Sequence, residues 1–464
     1  MLFAGTYVRF ILSYVPIFLF YIIQCYFMFN TMKNPTNIEA SENMQPRNKQ
    51  TESQTTEVDP QLLPQVEIAG LAFAPDALPG GLTLNRELGI IFPDPLATLQ
   101  AMGPYYPHGT IFGPRAVKAP NRDYLVFGAH GGIYFDPNVK ANQAVMWRST
   151  DGGETWEEGV QPWRMPDAKE HCIVPFIDPA EPNRIHTMSN ASPDSSFRTD
   201  VVLRYSDDNG KHWNVRGRWS KEDDPRRIPG FRGGPVHMRG AVLECGTWLW
   251  GIYDRDGASN EGDRQFVLRS EDRGMSWSVQ PGAHHEGWYH PDWNKFLEGS
   301  VVATGGPKAT LYLRAPGGRM YEKRTTDSGL TWSETQETPD LVHPDAPPMV
   351  FPFAGGKRLI AFTHNRYTAE HPHHYHPDRG SLWFAVSDDA GYSWSTPRFM
   401  IAQAKHTANP LSCDPDVCYV DLLVDGSTLH LFVGDSQRRT LHLRFSEKDL
   451  GMFPTKEDLH QWMC

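Results

Sequence analysis

Positive charge and cysteine are both scarce in this chain of 464 residues, and each scarcity excludes a class of protein. Lys and Arg number 44 against 55 Asp and Glu, a formal net charge of −11. A nucleic-acid partner requires clustered Lys and Arg to neutralise phosphates, so a uniformly acidic chain is a poor candidate and no nucleic-acid partner is expected. Six cysteines are too few for a small scaffold built on disulfides. Glycine and proline are plentiful, 40 and 38 residues, and punctuate the chain often enough to favour many short strands over long helices. With 14 Trp, 17 Tyr and 24 Phe the chain has the apolar bulk that a disordered polymer lacks.

One long run carries no formal charge, the 20 residues from Phe10 to Phe29. A bilayer core takes about 20 apolar residues in a helix. The expectation is an uncleaved N-terminal transmembrane helix over residues 1–29. A cleaved signal and a start at Met32 or Met44 are the alternatives. Residues 30–65 are polar and read as a disordered, flexible stalk. This predicts a single-pass membrane protein of the secretory pathway, its folded part lumenal or extracellular. Cys413 and Cys418 are close enough to form a disulfide there, or remain two thiols.

Five copies of the pattern Ser/Thr-x-Asp-x-Gly-x-x-Trp organise the rest: Ser149 to Trp156, Ser206 to Trp213, Ser270 to Trp277, Thr325 to Trp332 and Ser387 to Trp394. Their starts are 57, 64, 55 and 62 residues apart. Each follows a strand-like run, as in Leu382 to Val386. The pattern suits a hairpin turn: Asp bonds its own backbone, Gly supplies a positive φ, and Trp anchors the turn by packing. These are Asp-box, or BNR, repeats. Four short strands per repeat predict one β-propeller blade each, with a sixth, box-free unit over 415–446. The fold class is therefore all-β, a six-bladed propeller over residues 66–455 with a tail at 456–464. Residues 66–100 are expected to supply a strand that closes the ring, and a seventh blade before residue 105 is the alternative. The box aspartates are turn formers, not catalysts.

The innermost strand of a blade ends at the axial pocket, and chemistry-bearing residues are sought there. The first blade opens with Phe112-Gly113-Pro114-Arg115. The fourth carries Glu298 and, 16 residues on, Arg314. Arg379 precedes the fifth box, and Tyr419 opens the last unit. In these residues the sequence resembles the sialidase (neuraminidase) superfamily over roughly residues 105–450. That family is a six-bladed propeller with an arginine triad, a tyrosine–glutamate pair and an aspartate. The resemblance places Arg115 at the first arginine, in a Phe-Gly-Pro-Arg order where the family has a Phe-Arg-Ile-Pro-like motif. It places Glu298 and Arg314 at the glutamate and second arginine, Arg379 at the third, and Tyr419 at the nucleophile. The acid is Asp136, with His130 the alternative acid at a position where an arginine often helps the pocket.

The residue types fit the chemistry that the resemblance implies. Three guanidiniums hold a sugar carboxylate through charge-assisted hydrogen bonds. A carboxylate nucleophile is repelled by that group, so a phenol activated by Glu is the better attacker, and sialidases use one. The expected function is retaining exo-hydrolysis of terminal carboxylate-bearing sugars, sialic acid or similar, from an acidic glycan. No cofactor and no metal are called for, and the run from His371 to Arg379 reads as a solvated loop. His171, His237 and His364 also stand at inner-strand positions. They keep open a uronate lyase or another Asp-box glycosidase, and the altered first motif keeps open a non-catalytic propeller that binds glycans or proteins. The oligomeric state is not legible in the sequence.

Overall fold

The computed structural model describes residues 61–94, 97–103, 110–131, 143–165, 169–192, 200–220, 236–255, 263–282, 287–372, 376–406 and 416–463. All belong to one compact unit, Glu57–Cys464. Six antiparallel sheets follow one another along the chain as the blades of a propeller. Among the described residues the first has three strands, Thr110–Lys118, Tyr124–Gly131 and Gln143–Ser149. The second runs Lys169–Phe176, Ile185–Ser192, Asp200–Ser206 and Asn214–Trp219. The third has Ala241–Val242, Trp248–Arg255, Asp263–Ser270 and Ser278–Gln280. The fourth has Leu297–Gly305, Lys308–Arg314, Arg319–Thr325 and Gln336–Val342. The fifth has Met349–Phe353, Arg358–Thr363, Ser381–Ser387 and Arg398–Gln403, widened by Ile90–Pro93 and Leu82–Asn85.

The sixth blade closes the ring. Val417–Asp425, Thr428–Asp435 and Arg439–Ser446 come from the end of the chain, and the outer strand is Ala97–Ala101 from its beginning. Leu99 lies opposite Leu443 in that pairing. Residues before 105 therefore widen the fifth blade and complete the sixth instead of building a seventh. After the last blade, the helix Lys456–Met463 buries Leu459 in a cluster with Val66, Ile68 and Trp383.

In the second to fifth blades each Asp box forms the turn between the third and fourth strands, in the first it follows the third strand, and the same bonds recur. In the second, Gly210 N–H donates to Ser206 Oγ at 2.8 Å and His212 N–H donates to Asp208 Oδ1 at 2.9 Å. In the fifth, Gly391 N–H donates to Ser387 Oγ at 2.8 Å and Ser393 N–H donates to Asp389 Oδ1 at 2.9 Å. The box glycine is required twice over. Its φ is +81° at Gly210 and +86° at Gly391, a left-handed geometry that only glycine adopts without strain. A Cβ would also strike the preceding blade, 2.7 Å from Leu125 Cδ1 at Gly210 and 2.7 Å from Leu203 Cδ2 at Gly274. The tryptophans lean the same way: Trp213 meets Phe127 of the first blade and Trp156 meets Phe432 of the sixth. The boxes thus fasten each blade to the one before it.

The transmembrane expectation is corrected. A span needs about 20 apolar residues in one helix, and no helix among the described residues is long and apolar enough to cross a membrane. The segment 10–29 to which that expectation refers lies outside the described residues. The membrane partnership and the single-pass placement rested on that helix and are withdrawn with it.

Candidate active site

Four inner strands carry a β-bulge at matching places, and each bulge holds a residue with positive φ. These are Gly113 (+55°), Cys172 (+53°), Glu298 (+51°) and Tyr419 (+54°) in the first, second, fourth and sixth blades. A bulge re-aims a side chain that regular pleating would point elsewhere. Positive φ at a non-glycine residue costs on the order of 1–3 kcal/mol and concentrates at functional sites. Three of the four bear polar or nucleophilic side chains.

Glu298 and Tyr419 meet. Tyr419 Oη donates to Glu298 Oε1 at 3.0 Å, and Arg314 Nη1 donates to Glu298 Oε2 at 2.6 Å and to Tyr419 Oη at 3.3 Å. His237 Nδ1 lies 3.1 Å from the same Glu298 Oε1. Arg314 Nε donates to Asp345 Oδ1 at 2.6 Å, and Lys295 Nζ lies 3.0 Å from Asp345 Oδ2. Arg379 donates to the Asp345 backbone carbonyl and stands 3.6 Å from Asp416 Oδ2. Arg314, Arg379, Glu298 and Tyr419 are all buried.

Burial penalises each charge here, and the neighbours decide the outcome. Burial pushes the Tyr419 phenol well up, the Glu298 charge adds to this, and Arg314 and Arg379 only partly oppose it. The resting phenol is protonated and donates. Burial alone would raise Glu298, but Arg314 and the hydrogen bond from His237 hold its carboxyl well below the usual range. Arg314 stays charged against burial because Asp345 and Glu298 flank it. His237, also opposed by burial, is raised to about 9 by Cys172 and Glu298.

Arg115 reaches the same centre through backbone carbonyls. Gly113 holds the bulge position, and Arg115 stands two residues further on. Its Nη1 donates to the carbonyls of Pro114 (2.8 Å), Tyr419 (3.4 Å) and Val420 (3.4 Å), and its Nη2 to that of His237 (3.0 Å). Its hydrogen bonds therefore stitch three blades together through the backbone. Asp136 lies outside the described residues, and His130 is placed only as a strand residue opposite Ile111 and Gln143. The structure brings Tyr419, Glu298 and Arg314 into one hydrogen-bonded cluster and ties Arg379 to it through Asp345. Cys172 and Asp345 are additions that sequence reasoning did not single out. His237 was visible as an inner-strand histidine. Arg239, beside it, pairs with Asp421 at 2.6 Å instead of facing the cluster.

The fold and the cluster define an Asp-box β-propeller with a phenol–carboxylate–guanidinium centre. The chain belongs to the BNR repeat-like domain family, whose model matches residues 174–431, and a BNR/Asp-box repeat model matches residues 147–158. No curated protein matches by sequence. Among solved structures the chain is similar to a Hadza microbial sialidase at 17% identity, over 73% of this chain and 66% of that one, with a TM-score of 0.54. It thus spans just under two thirds of that protein's length. It is similar to the NanB sialidase from Streptococcus pneumoniae at 10% identity, over 77% of this chain and 71% of that one, TM-score 0.56. A protein of unknown function from Dyadobacter fermentans is 15% identical over 77% of this chain and 99% of that one, TM-score 0.56. At these identities the likeness establishes the fold, a six-bladed propeller related to those of the sialidase superfamily.

Proposed function

We propose that the protein is a retaining exo-glycosidase that removes terminal carboxylate-bearing sugars, sialic acid or similar, from acidic glycans. The observation that supports this reading best is the hydrogen bond from Tyr419 Oη to Glu298 Oε1 at 3.0 Å beside Arg314. In this reading Tyr419 Oη bonds to the anomeric carbon as its proton passes to Glu298. The glycosidic C–O bond breaks, and the leaving oxygen takes a proton from an acid, Asp136 or His130. Water then reverses the sequence and releases the sugar with its configuration retained.

Arg379 and Arg314 are the carboxylate clamp, with Arg115 supporting them through the backbone of Tyr419 and His237. Arg314 is already countered by Glu298 and Asp345, whereas Arg379 faces its nearest carboxylate oxygen at 3.6 Å and its buried Nε has no partner among the described residues. Arg379 is thus the readier site for an incoming carboxylate. As that carboxylate shares the donors of Arg314, the grip on the Glu298 charge loosens and Glu298 becomes a better base for the phenol.

The test is release of methylumbelliferone from its α-sialoside by the whole protein, beside Tyr419→Phe and Arg314→Ala, from about pH 4 to about pH 8. Turnover that collapses in both variants upholds the reading. No turnover with unsaturated products from uronate polymers replaces it with a lyase. No product from any acidic glycan replaces it with a binding propeller.

A further inference from the structure

Cys172 occupies in the second blade the bulge position that Glu298 and Tyr419 occupy in the fourth and sixth. It is a free thiol and is buried. Its side chain is hydrogen-bonded with the imidazole of His237. Nδ1 of that imidazole lies 3.1 Å from Glu298 Oε1, and Tyr253 meets the ring edge-on at 5.4 Å. The imidazole thus joins the thiol to the Glu298 carboxylate, and as an imidazolium it donates from both nitrogens. Arg115 is close enough to interact with the Cys172 charge, and its own hydrogen bonds go to backbone carbonyls and to Met238 Sδ. The thiol therefore sits beside two cationic groups and at the end of a sulfur–imidazole–carboxylate chain. Cationic neighbours favour a thiolate and burial opposes it. The hydrolysis proposed above makes no use of it.

Cys418 is the internal comparison. It too is a buried free thiol, one residue before Tyr419, but burial and the Asp416 charge push its pKa up. Arg379 and Arg314 oppose that push, so the two buried thiols differ in their closest partners, a carboxylate beside Cys418 and an imidazole hydrogen-bonded to Cys172.

We infer that Cys172, His237 and Glu298 form a reactive-thiol triad and that Cys172 is a modification site for small electrophiles, hydroperoxides above all. In the reaction the thiolate sulfur attacks one peroxide oxygen. An S–O bond forms at the terminal oxygen, the O–O bond breaks, and the departing hydroxide (from hydrogen peroxide) or alkoxide (from an organic hydroperoxide) takes the His237 proton to become water or an alcohol. Sulfur is oxidised to the sulfenic acid and the peroxide is reduced. The inference stands whichever sugar, if any, the site accepts.

The experiment is timed labelling of the folded whole protein with iodoacetamide, and separately with hydrogen peroxide followed by a sulfenate-trapping dione. Both are read peptide by peptide by mass spectrometry. Cys172 is expected to react at least about tenfold faster than Cys418, the order expected for a thiolate over a buried neutral thiol. The contrast should vanish in denaturant, where both thiols are equivalent. His237→Gln is expected to slow Cys172 to the rate of Cys418. Equal rates at Cys172 and Cys418 in the folded parent would overturn the inference without any variant. So would a Cys172 rate that His237→Gln leaves unchanged in a protein that still melts cooperatively.

Discussion

Glu298 and Tyr419 hold the same left-handed bulge position on the inner strands of two different blades, at φ +51° and +54°, and their side chains meet at 3.0 Å across the ring. Regular pleating would give each strand an inward side chain every second residue, at the angle the sheet dictates. The bulge frees one residue per strand from that rule. The ring then gathers the freed residues at one centre, which is how a scaffold of near-identical blades acquires a site of unlike groups.

Tyr419→Phe removes one oxygen and little else. If Tyr419 is the nucleophile, kcat for the sialoside falls by on the order of 10³-fold or more, as loss of a covalent nucleophile does elsewhere. Glu298 keeps Arg314 and His237 as partners. Stability should therefore change by no more than about 3 kcal/mol, the upper range for a hydrogen bond to a charged group. Activity assay and urea unfolding on the same preparation check both halves. A variant that retains most of its kcat removes Tyr419 from the chemistry.

Arg314→Met leaves Glu298 and Asp345 buried without their main countercharge. Breaking a buried pair in this way costs about 3–5 kcal/mol. Arg86→Met is the control, because the Arg86–Asp76 pair is largely exposed, at 66% and 76%, and such pairs are worth about 0–1 kcal/mol. Urea midpoints of the two variants measure the contrast. Equal small losses would show that Asp345 and Glu298 are held by other means.

The boxes were legible because their bonds are local: Ser, Asp and Gly satisfy one another within six residues, and the pattern repeats five times. That each box serves the preceding blade was not legible, since Leu125 and Leu203 are remote in sequence from Gly210 and Gly274. The bulges were hidden for the same reason. Nothing local marks Glu298, Tyr419 or Cys172 for positive φ; strand register imposes it. Glu298 and Tyr419 were found through their resemblance to a family, and Cys172, to which the resemblance gives no role, was not. Asp345, set among prolines at 344, 347 and 348, reads as a loop residue until Arg314 and Lys295 are seen to converge on it.

His237 makes the fold sensitive to base. Its pKa is raised from 6.5 to about 9 in the folded protein. The folded state therefore holds the proton more tightly than the unfolded chain. This contribution is complete below about pH 6.5 and is lost as pH rises through about 9. Urea unfolding across that window should show a decline in the parent that is absent or much reduced in His237→Gln. Parallel slopes would mean that the imidazole is not charged in the fold.

The seam that closes the ring has the opposite sign. His430 Nδ1 and His442 Nε2 are 3.0 Å apart, and His442 Nδ1 lies 3.3 Å from Trp156 Nε1 and 2.9 Å from Gln100 Nε2. An indole N–H can only donate, so His442 Nδ1 accepts and its proton sits on Nε2, directed at His430. One neutral tautomer thus joins the closing strand through Gln100, the first blade through Trp156 and the last blade through His430. Burial first, then the neighbouring charges, lower His430 to about 4 and His442 to about 3. The unfolded chain takes these protons near the ordinary value of 6.5, and the fold resists them. Stability is therefore complete above about pH 6.5 and falls as the pH drops below it. Urea unfolding, followed from neutral to acid pH, should show this fall in the parent. His442→Gln keeps an acceptor for Trp156 but has nothing to titrate, so its slope should be shallower even if it starts less stable. Equal slopes would place the acid sensitivity elsewhere than at the point where the two ends of the chain close the ring.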